Sequence, residues 1–309
     1  MIKYIYKSLR KPAVEELNEY RRGCWVYVET PDHNEINELV KKFNLNPGHI
    51  EDALDEDEMP RLEKEDSRSY IFVRFAYRAE DGELQTVPLL FIFDEEILIT
   101  VSLVRMPSLE LFLTGHVDFN TTQRTRLVLQ ILGLISDKYD YYIADTSKMI
   151  KAIRARLRGH AISNQDFVDF VTIEDELNEF LASLLPTNAT LRRLLLGRYM
   201  PLFEEDQDIV EDLLLNNEQS IEACNSNMKS IANIRDAYTS ISSNNLNRTI
   251  KVLTIATVMI AIPNLFYSMY GMNVPLPWQH EPWAYGAIML FTISLVLAVA
   301  IFGRRKKIF

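Results

Sequence analysis

Small and polar side chains recur at steps of three and four residues within an apolar stretch near the carboxyl end of the chain. The series comprises Asn247, Ile250, Thr254, Thr257, Ala261, Asn264 and Ser268, in which Ile250 is the large apolar member. A period of 3.5 residues places such a series along one stripe of an α-helix. We name these seven residues the polar stripe.

Two chemical roles fit the polar stripe. Small and polar residues pack one membrane helix against another, or several copies of the chain turn the stripe toward a shared, water-filled axis. Asn264 favours the second role, because an amide in hydrocarbon is costly unless a partner or water satisfies it. Pro263 beside it leaves a backbone carbonyl without its helical donor, which is tolerated near water or a packed neighbour.

The stripe lies in one of two segments that are long and apolar enough to cross a membrane. Residues 252–270 and 283–302 contain no formally charged side chain, and each is long enough to cross a hydrocarbon core of about 30 Å. We predict spans at 251–270 and 283–302, an outer loop at 271–282 and a basic tail at 303–309. The loop has no Lys or Arg, so both termini are predicted to be cytoplasmic and the protein to lie in the cell inner (plasma) membrane.

Residues 1–247 are strongly acidic. Glu281 is the one acidic residue after Asn247, which leaves 42 acidic residues in 1–247. Six of the 33 basic residues also lie after Asn247, which leaves 27, so the formal charge of residues 1–247 is −15. Such a domain repels nucleic acid and attracts cations, which excludes a nucleic-acid partner. The sequence has no P-loop, HExxH or Ser/His/Asp grouping, so we do not expect an enzyme.

Apolar periodicity predicts three regions. Strands are expected at 2–6, 24–29, 70–77, 86–93 and 97–103, with helices at 32–43 and 47–54, which makes 1–120 a mixed α/β subdomain. Residues 121–246 form a region of long helices, at 122–158, 166–196 and from about 203 onward, with a kink or break at Pro186. Residues 247–309 form the transmembrane domain.

The third long helix has no Gly or Pro from 204 to 262, so it is predicted to continue into the first span as a stalk. From Ile221, its apolar residues follow a coiled-coil-like spacing. Because one molecule does not bury such a rod well, we expect a homo-oligomer in the lipid bilayer.

The outer end of the first span reads Tyr270-Gly271-Met272-Asn273, directly before the loop. Together with the acidic domain ahead of it and the basic tail behind it, this arrangement resembles the CorA family of magnesium transporters, whose signature is YGMN at this place. The run KVLT at 251–254 and the acidic segment PGHIEDALDEDEMPR at 47–61 are also similar to the family.

The resemblance implies a funnel-shaped homopentamer whose first spans line a channel for Mg²⁺. Asn273, with Gly271 and Met272, would form the outer mouth, and Asn247 an inner ring. Ile250 and Leu253 would lie at an apolar constriction. The resemblance further implies that intracellular Mg²⁺, bound between subunits, holds the channel closed; the matching ligands are Asp52 with Asp212, and also Glu51.

The outer loop departs from the family pattern. It reads VPLPWQHEPW at 274–283 where the family often has Met-Pro-Glu-Leu, leaving His280 and Glu281 as the residues that attract cations. A Zn²⁺, Co²⁺ or Ni²⁺ transporter on the same fold therefore stays open as an alternative. So does a membrane-anchored sensor of divalent ions that conducts nothing.

Overall fold

A computed structural model describes residues 1–80, 82–158, 164–273, 275–278 and 280–305, except the side chains of 157, 158, 164 and 304. The chain divides into two compact units, residues 1–233 and 234–309. The predicted basic tail at 303–309 lies partly outside the described residues, since 306–309 are not among them. The domain boundaries predicted at 120 and 246 stay predictions.

The first unit contains a seven-stranded sheet. Its strands are β1 (Ile2–Ser8), β2 (Lys11–Leu17), β3 (Trp25–Glu29), β4 (Arg61–Glu65), β5 (Arg68–Arg78), β6 (Leu84–Phe93) and β7 (Leu98–Ser102). They are arranged in the order β2-β1-β3-β7-β6-β5-β4, with β3 and β7 parallel and all other neighbours antiparallel.

The two strands that the sequence did not predict, β2 and β4, lie at the two edges of this sheet. Their sequences, KPAVEEL and RLEKE, are charged and lack the apolar runs of the central strands. Charged residues on edge strands discourage pairing with another chain, which is why these strands carry a weak strand signal.

Two short helices cover one face of the sheet. Helix α1 (His33–Phe43) begins at a capping box, in which Asp32 accepts from the amide of Glu35 and Glu35 accepts in return from that of Asp32. Helix α2 (Pro47–Asp52) is capped by Asn46 and ends at one of the predicted regulatory residues. Buried side chains of both helices and of the central strands form one apolar core, which includes Leu39, Phe43, Ile50, Phe72, Leu90 and Ile99.

A connector follows the sheet as a 3-10 turn at Pro107–Leu109 and the short helix α3 (Glu110–Leu113). Helices α4 (Arg124–Arg158) and α5 (Asn164–Leu194) then pack on strands β4 to β6. Tyr139 of α4 meets Phe180 of α5 edge to face, with ring centroids 5.3 Å apart. Helix α5 continues through Pro186, so a break there is wrong, while a kink at Pro186 stays a prediction.

Helix α5 also closes an open part of the sheet. Residues 84–87 of β6 extend beyond the end of β7, leaving their amides without a strand partner on that side. The carboxylates of Glu176 and Glu179 on α5 accept these hydrogens, from Leu84 at 3.2 Å and Thr86 at 2.5 Å. Burial raises the pKa of the Glu176 carboxyl. These carboxylates satisfy backbone donors that would otherwise be costly to bury.

Helix α6 runs for 67 residues from Glu204 to Tyr270, which confirms that the third long helix continues into the first apolar span. Within the first unit it lies beside α4 and parallel to it, since Ser136, Asp140 and Ser147 bond in turn to Asn216, Ser220 and Asn227. We name the coiled-coil-like row of apolar residues that begins at Ile221 the apolar seam. It is covered there by the chain itself, because Cys224 and Ile231 are buried. The expectation that one molecule does not bury this rod well is therefore wrong for this part of the helix.

The second unit consists of the end of α6 and helix α7 (Ala284–Arg305). Both helices include a segment long and apolar enough to cross a membrane. They pack through an edge-to-face pair between Phe266 and Phe291, with centroids 5.3 Å apart, and through the hydroxyls of Tyr267 and Thr292, 3.5 Å apart.

Candidate ion pathway and regulatory carboxylates

The polar stripe faces away from the other helix of its own unit. Between the first and last residues of the stripe, the half-buried residues of α6 are Ile255, Met259, Ile262, Pro263 and Phe266, and Phe266 contacts Phe291 of α7. All seven stripe residues are exposed. At 100° per residue, the mean directions of the two sets differ by roughly 150° around the helix axis. Packing against α7 therefore does not explain the stripe, and its remaining neighbours are lipid or another copy of the chain.

The two threonine hydroxyls on the stripe are bonded within the helix. Thr254 donates to the carbonyl of Ile250 at 2.8 Å, and Thr257 donates to that of Leu253 at 2.9 Å. This geometry uses the hydroxyl hydrogens and turns oxygen lone pairs outward, where they can accept from water. Leu253 is 66% exposed and Ile250 51%, so both predicted constriction residues are also uncovered.

The amides on the stripe lack such an internal partner. Within the part of the chain that the structure describes, neither Asn247 nor Asn264 has a side-chain hydrogen bond. Helix α6 continues through Pro263, whose missing N–H leaves the Met259 carbonyl without its helical donor. Since an unsatisfied amide is costly in hydrocarbon, Asn264 requires water or a neighbouring copy.

The predicted outer mouth lies directly after α6. The amide of Gly271 donates to the carbonyls of Tyr267 at 3.1 Å and Ser268 at 3.2 Å, and that of Met272 donates to Met269 at 3.1 Å. Gly271, Met272 and Asn273 are all exposed. The Tyr270 hydroxyl donates to the carbonyl of Pro277 at 3.1 Å, which ties the returning loop to the end of the helix. Asn273 therefore lies on a short turn that is hydrogen-bonded to the end of α6 through Gly271 and Met272, and the loop after it is bonded back to α6 through Tyr270.

The predicted regulatory carboxylates lie in the first unit. Asp52 ends α2, Glu51 precedes it and is exposed, and Asp212 is exposed on α6. Among the described residues, no hydrogen bond or ion pair joins Asp52 to Asp212 within one chain. In the same part of the chain, no three His, Cys, Asp or Glu side chains are grouped to hold a metal ion. Within the described part of one chain, Glu51, Asp52 and Asp212 therefore do not form a metal-binding group of three such side chains.

The structure adds a residue that sequence reasoning missed. Arg61 of β4 donates from Nη2 to Oδ2 of Asp52 at 2.6 Å. The signal was present in the sequence, since Arg61 is the one Lys or Arg in the acidic segment 47–61. Its pairing was not predictable, because it depends on how β4 lies against the end of α2.

Comparison with known proteins agrees with these features. The model of a family described as CorA-like Mg²⁺ transporter protein matches residues 21–305. The cobalt/magnesium transport protein CorA of Methanocaldococcus jannaschii is 24% identical over 96% of this chain and 95% of its own length. The magnesium transport protein CorA of Wolinella succinogenes is 31% identical over 43% of this chain and 44% of its own.

The fold agrees as well. The complete structure of the CorA magnesium transporter from Methanocaldococcus jannaschii superposes with a TM-score of 0.87, covering 99% of this chain and 98% of that one at 21% identity. A family match across most of the chain, with a full-length structural counterpart, confirms the resemblance first indicated by residues 270–273. The chain belongs to the family of CorA-like Mg²⁺ transporter proteins.

Proposed function

We propose that five copies of this chain form a channel that moves divalent cations, chiefly Mg²⁺, across the inner (plasma) membrane down their electrochemical gradient. The observation that carries the proposal is the polar stripe on the side of α6 opposite α7, uncovered in one chain and rich in oxygen acceptors. Arranged around an axis, five stripes supply the wall of an aqueous pathway. Both termini and the acidic first unit lie in the cytoplasm.

The donor chemistry suits a hydrated divalent ion. Mg²⁺ prefers octahedral oxygen coordination and gives up its waters reluctantly. Neutral amide oxygens at Asn273, Asn264 and Asn247 bind the ion through its waters without trapping it, as conduction requires. Ile250 and Leu253 form the apolar constriction between the inner ring and the rest of the stripe.

The membrane potential supplies the driving force. Moving an ion of charge +2 through 100 mV releases about 4.6 kcal/mol, at roughly 2.3 kcal/mol per elementary charge. No nucleotide hydrolysis is needed for uptake of this kind.

Closure follows from the charge of the first unit. With −15 on residues 1–247 of every copy, neighbouring subunits repel one another. Mg²⁺ bound by Asp52 of one subunit and Asp212 of the next, with Glu51 near the first, offsets this repulsion. Loss of intracellular Mg²⁺ then loosens the ring and favours the open state.

Co²⁺ is the second candidate ion, because the relative from Methanocaldococcus jannaschii is named as a cobalt as well as a magnesium transport protein. Uptake into proteoliposomes with Mg²⁺, Co²⁺, Ni²⁺ and Zn²⁺ in turn distinguishes these ions. If Mg²⁺ neither enters nor competes, the magnesium assignment is wrong.

The test of conduction is Mg²⁺ uptake by the Asn273→Ala variant. We expect its flux to fall at least tenfold, because the outer ring of amide oxygens is removed. Asn245→Ala is the matched control: Asn245 is also exposed, but lies on the far side of α6 from the stripe, and its flux should be unchanged. Absence of flux in the unaltered protein would favour a sensor that does not conduct. Equal flux in Asn273→Ala would remove Asn273 from the pathway.

A further inference from the structure

Arg61 is the centre of an ion-pair cluster at the end of α2. Its three guanidinium nitrogens each contact a different carboxylate: Nη2 that of Asp52 at 2.6 Å, Nε that of Glu63 at 2.6 Å and Nη1 that of Glu58. Asp52 is thus occupied by an internal cation in the single chain. We name Arg61 with these three carboxylates the Arg61 cluster.

The position of the guanidinium is fixed by the sheet. Arg61 is the cross-strand partner of Phe72 on β5, and its guanidinium carbon lies 4.0 Å from the centre of that ring. Phe72 is fully buried in the core, so the ring cannot move away. The Arg61 side chain is itself only 27% exposed. A planar cation held by a ring and three carboxylates keeps its place when one contact is lost.

From this geometry we infer that Arg61 competes with divalent cations for Asp52, and so sets the Mg²⁺ concentration at which the regulatory site fills. The inference rests on the proposed regulatory role of Asp52. A metal ion that binds Asp52 either displaces Nη2 of Arg61 from the carboxylate or binds beside it. In either case the metal ion and the guanidinium lie close together, and their positive charges repel. Because the guanidinium stays charged at every physiological pH, this competition is permanent.

The same competition does not apply at Asp212. That residue is exposed on α6, and no Lys, Arg or His contacts its carboxylate within the described chain. Removing the charge of Arg61 should therefore strengthen metal binding only where Asp52 takes part. The effect must disappear when Asp52 itself is replaced, and this dependence separates competition from a general change in surface charge.

The first measurement is Mg²⁺ inhibition of flux in Arg61→Gln, which keeps a planar polar group beside Phe72 and loses the charge. Coulomb repulsion between a divalent ion and a guanidinium about 5 Å apart, screened as at a wet surface, corresponds to roughly a tenfold change in binding. We expect half-maximal inhibition at about one tenth of the unaltered protein's Mg²⁺ concentration. Arg192→Gln, which removes a surface arginine paired with Glu218 at 2.5 Å, is the matched control and should not shift it.

The second measurement needs no flux. The full-length protein in detergent is heated at rising Mg²⁺ concentrations, and the concentration that raises the melting temperature is recorded. Arg61→Gln should lower this concentration about tenfold, and should have no such effect when combined with Asp52→Asn. Arg61→Lys keeps a cation, so it should resemble the unaltered protein; it serves as the second variant should Arg61→Gln fail to fold.

The outcomes separate the inference from the proposed function. No flux in any variant overturns the proposed conduction, whereas the melting experiment still decides the competition. If Asp52→Asn weakens Mg²⁺ binding and Arg61→Gln leaves it unchanged, competition by Arg61 is refuted. An equal gain in the Asp52→Asn background, or a tenfold gain in Arg61→Lys, refutes it as well.

Discussion

The variants Thr257→Cys and Ala256→Cys form a matched pair that tests whether the polar stripe borders water. The two positions are consecutive, so they differ in depth along α6 by about 1.5 Å while pointing roughly 100° apart. Thr257 belongs to the stripe and Ala256 does not, although both are exposed in the single chain. We expect a charged, water-soluble thiol reagent to modify the Thr257→Cys protein and block Mg²⁺ flux, and to leave the Ala256→Cys protein unmodified.

The expected difference in modification rate is about 100-fold. The thiolate is the reactive form. Placing an ionised side chain at the centre of a bilayer costs about 2.5–3.5 kcal/mol, and 1.36 kcal/mol corresponds to a factor of ten. A thiol facing lipid is therefore ionised about 100-fold less often than one facing water. Exclusion of the charged reagent from hydrocarbon adds to this difference.

The two native cysteines should contribute little background modification by the thiol reagent. Cys24 and Cys224 are fully buried, and burial raises the pKa of both thiols, that of Cys224 to about 12. At pH 7 about one Cys224 thiol in 10⁵ is then ionised, against a few per cent for a free thiol of pKa about 8.5. Both variants can therefore be studied without removing either native residue.

The assay combines flux with the mass of the intact protein, measured before and after the reagent. Thr257→Cys also weakens the hydrogen bond from residue 257 to the Leu253 carbonyl, 2.9 Å long in the native chain, at a cost of about 1 kcal/mol or less. Unmodified flux in Thr257→Cys before the reagent is the control for this loss. Equal modification at both positions, or none at 257, would refute a water-filled pathway along the stripe.

Two further predictions concern the stability of each unit. Because burial raises the pKa of Glu176 above its ordinary value near 4.5, the folded state holds this proton more tightly than the unfolded state, so this site's contribution to stability falls as pH rises through the raised pKa. Glu176→Gln keeps an oxygen that accepts from the Leu84 amide and removes the titration. The melting temperature of Glu176→Gln minus that of the unaltered protein should therefore be larger at pH 7 than at pH 4. A difference that does not change with pH would contradict this. In the second unit, Tyr267→Phe removes the 3.5 Å contact with Thr292 and should lower stability in detergent by about 0.6 kcal/mol. Phe266→Ala should lower stability by more than Tyr267→Phe does, because it removes the ring pair with Phe291, worth about 0.5–1.5 kcal/mol beyond its buried area. A larger loss in Tyr267→Phe would show that the hydroxyl pair, rather than the ring pair, holds the helices together.

Strand prediction succeeded where burial is strongest and failed at the sheet edges. Four of the five inner strands, β3, β5, β6 and β7, are buried along most of their length, and their apolar runs are visible in a single sequence. Strand β1 is half-buried and was predicted from its β-branched and aromatic residues. Strands β2 and β4 are charged, and most of their residues are exposed or half-buried, so they resemble loops in composition. Their pairing comes from neighbours brought close by the fold, which local sequence does not encode.

For the long helix α6 as well, the sequence predicted the element but not what the element packs against. Its continuity was predictable, since no Gly or Pro interrupts residues 204–262. The partner of its apolar seam was not: the first unit of the same chain covers the seam, and α6 forms polar pairs there with α4, such as Ser220 with Asp140. Periodicity identifies which face of a helix is to be buried, but it does not identify what buries it.

By itself the sequence determined the two apolar spans, the period of the polar stripe and the Gly271-Met272-Asn273 turn, because each is a local pattern of length, spacing or residue type. Only the tertiary structure decided that α7 packs on Phe266 and Tyr267 and leaves the stripe bare. The tertiary structure alone also brings the Arg61 guanidinium into contact with the Asp52 carboxylate, nine residues away along the chain, because that contact depends on the register of β4 against β5. Contacts of this kind arise from how separate elements pack, and packing depends on the whole set of buried side chains rather than on any one segment.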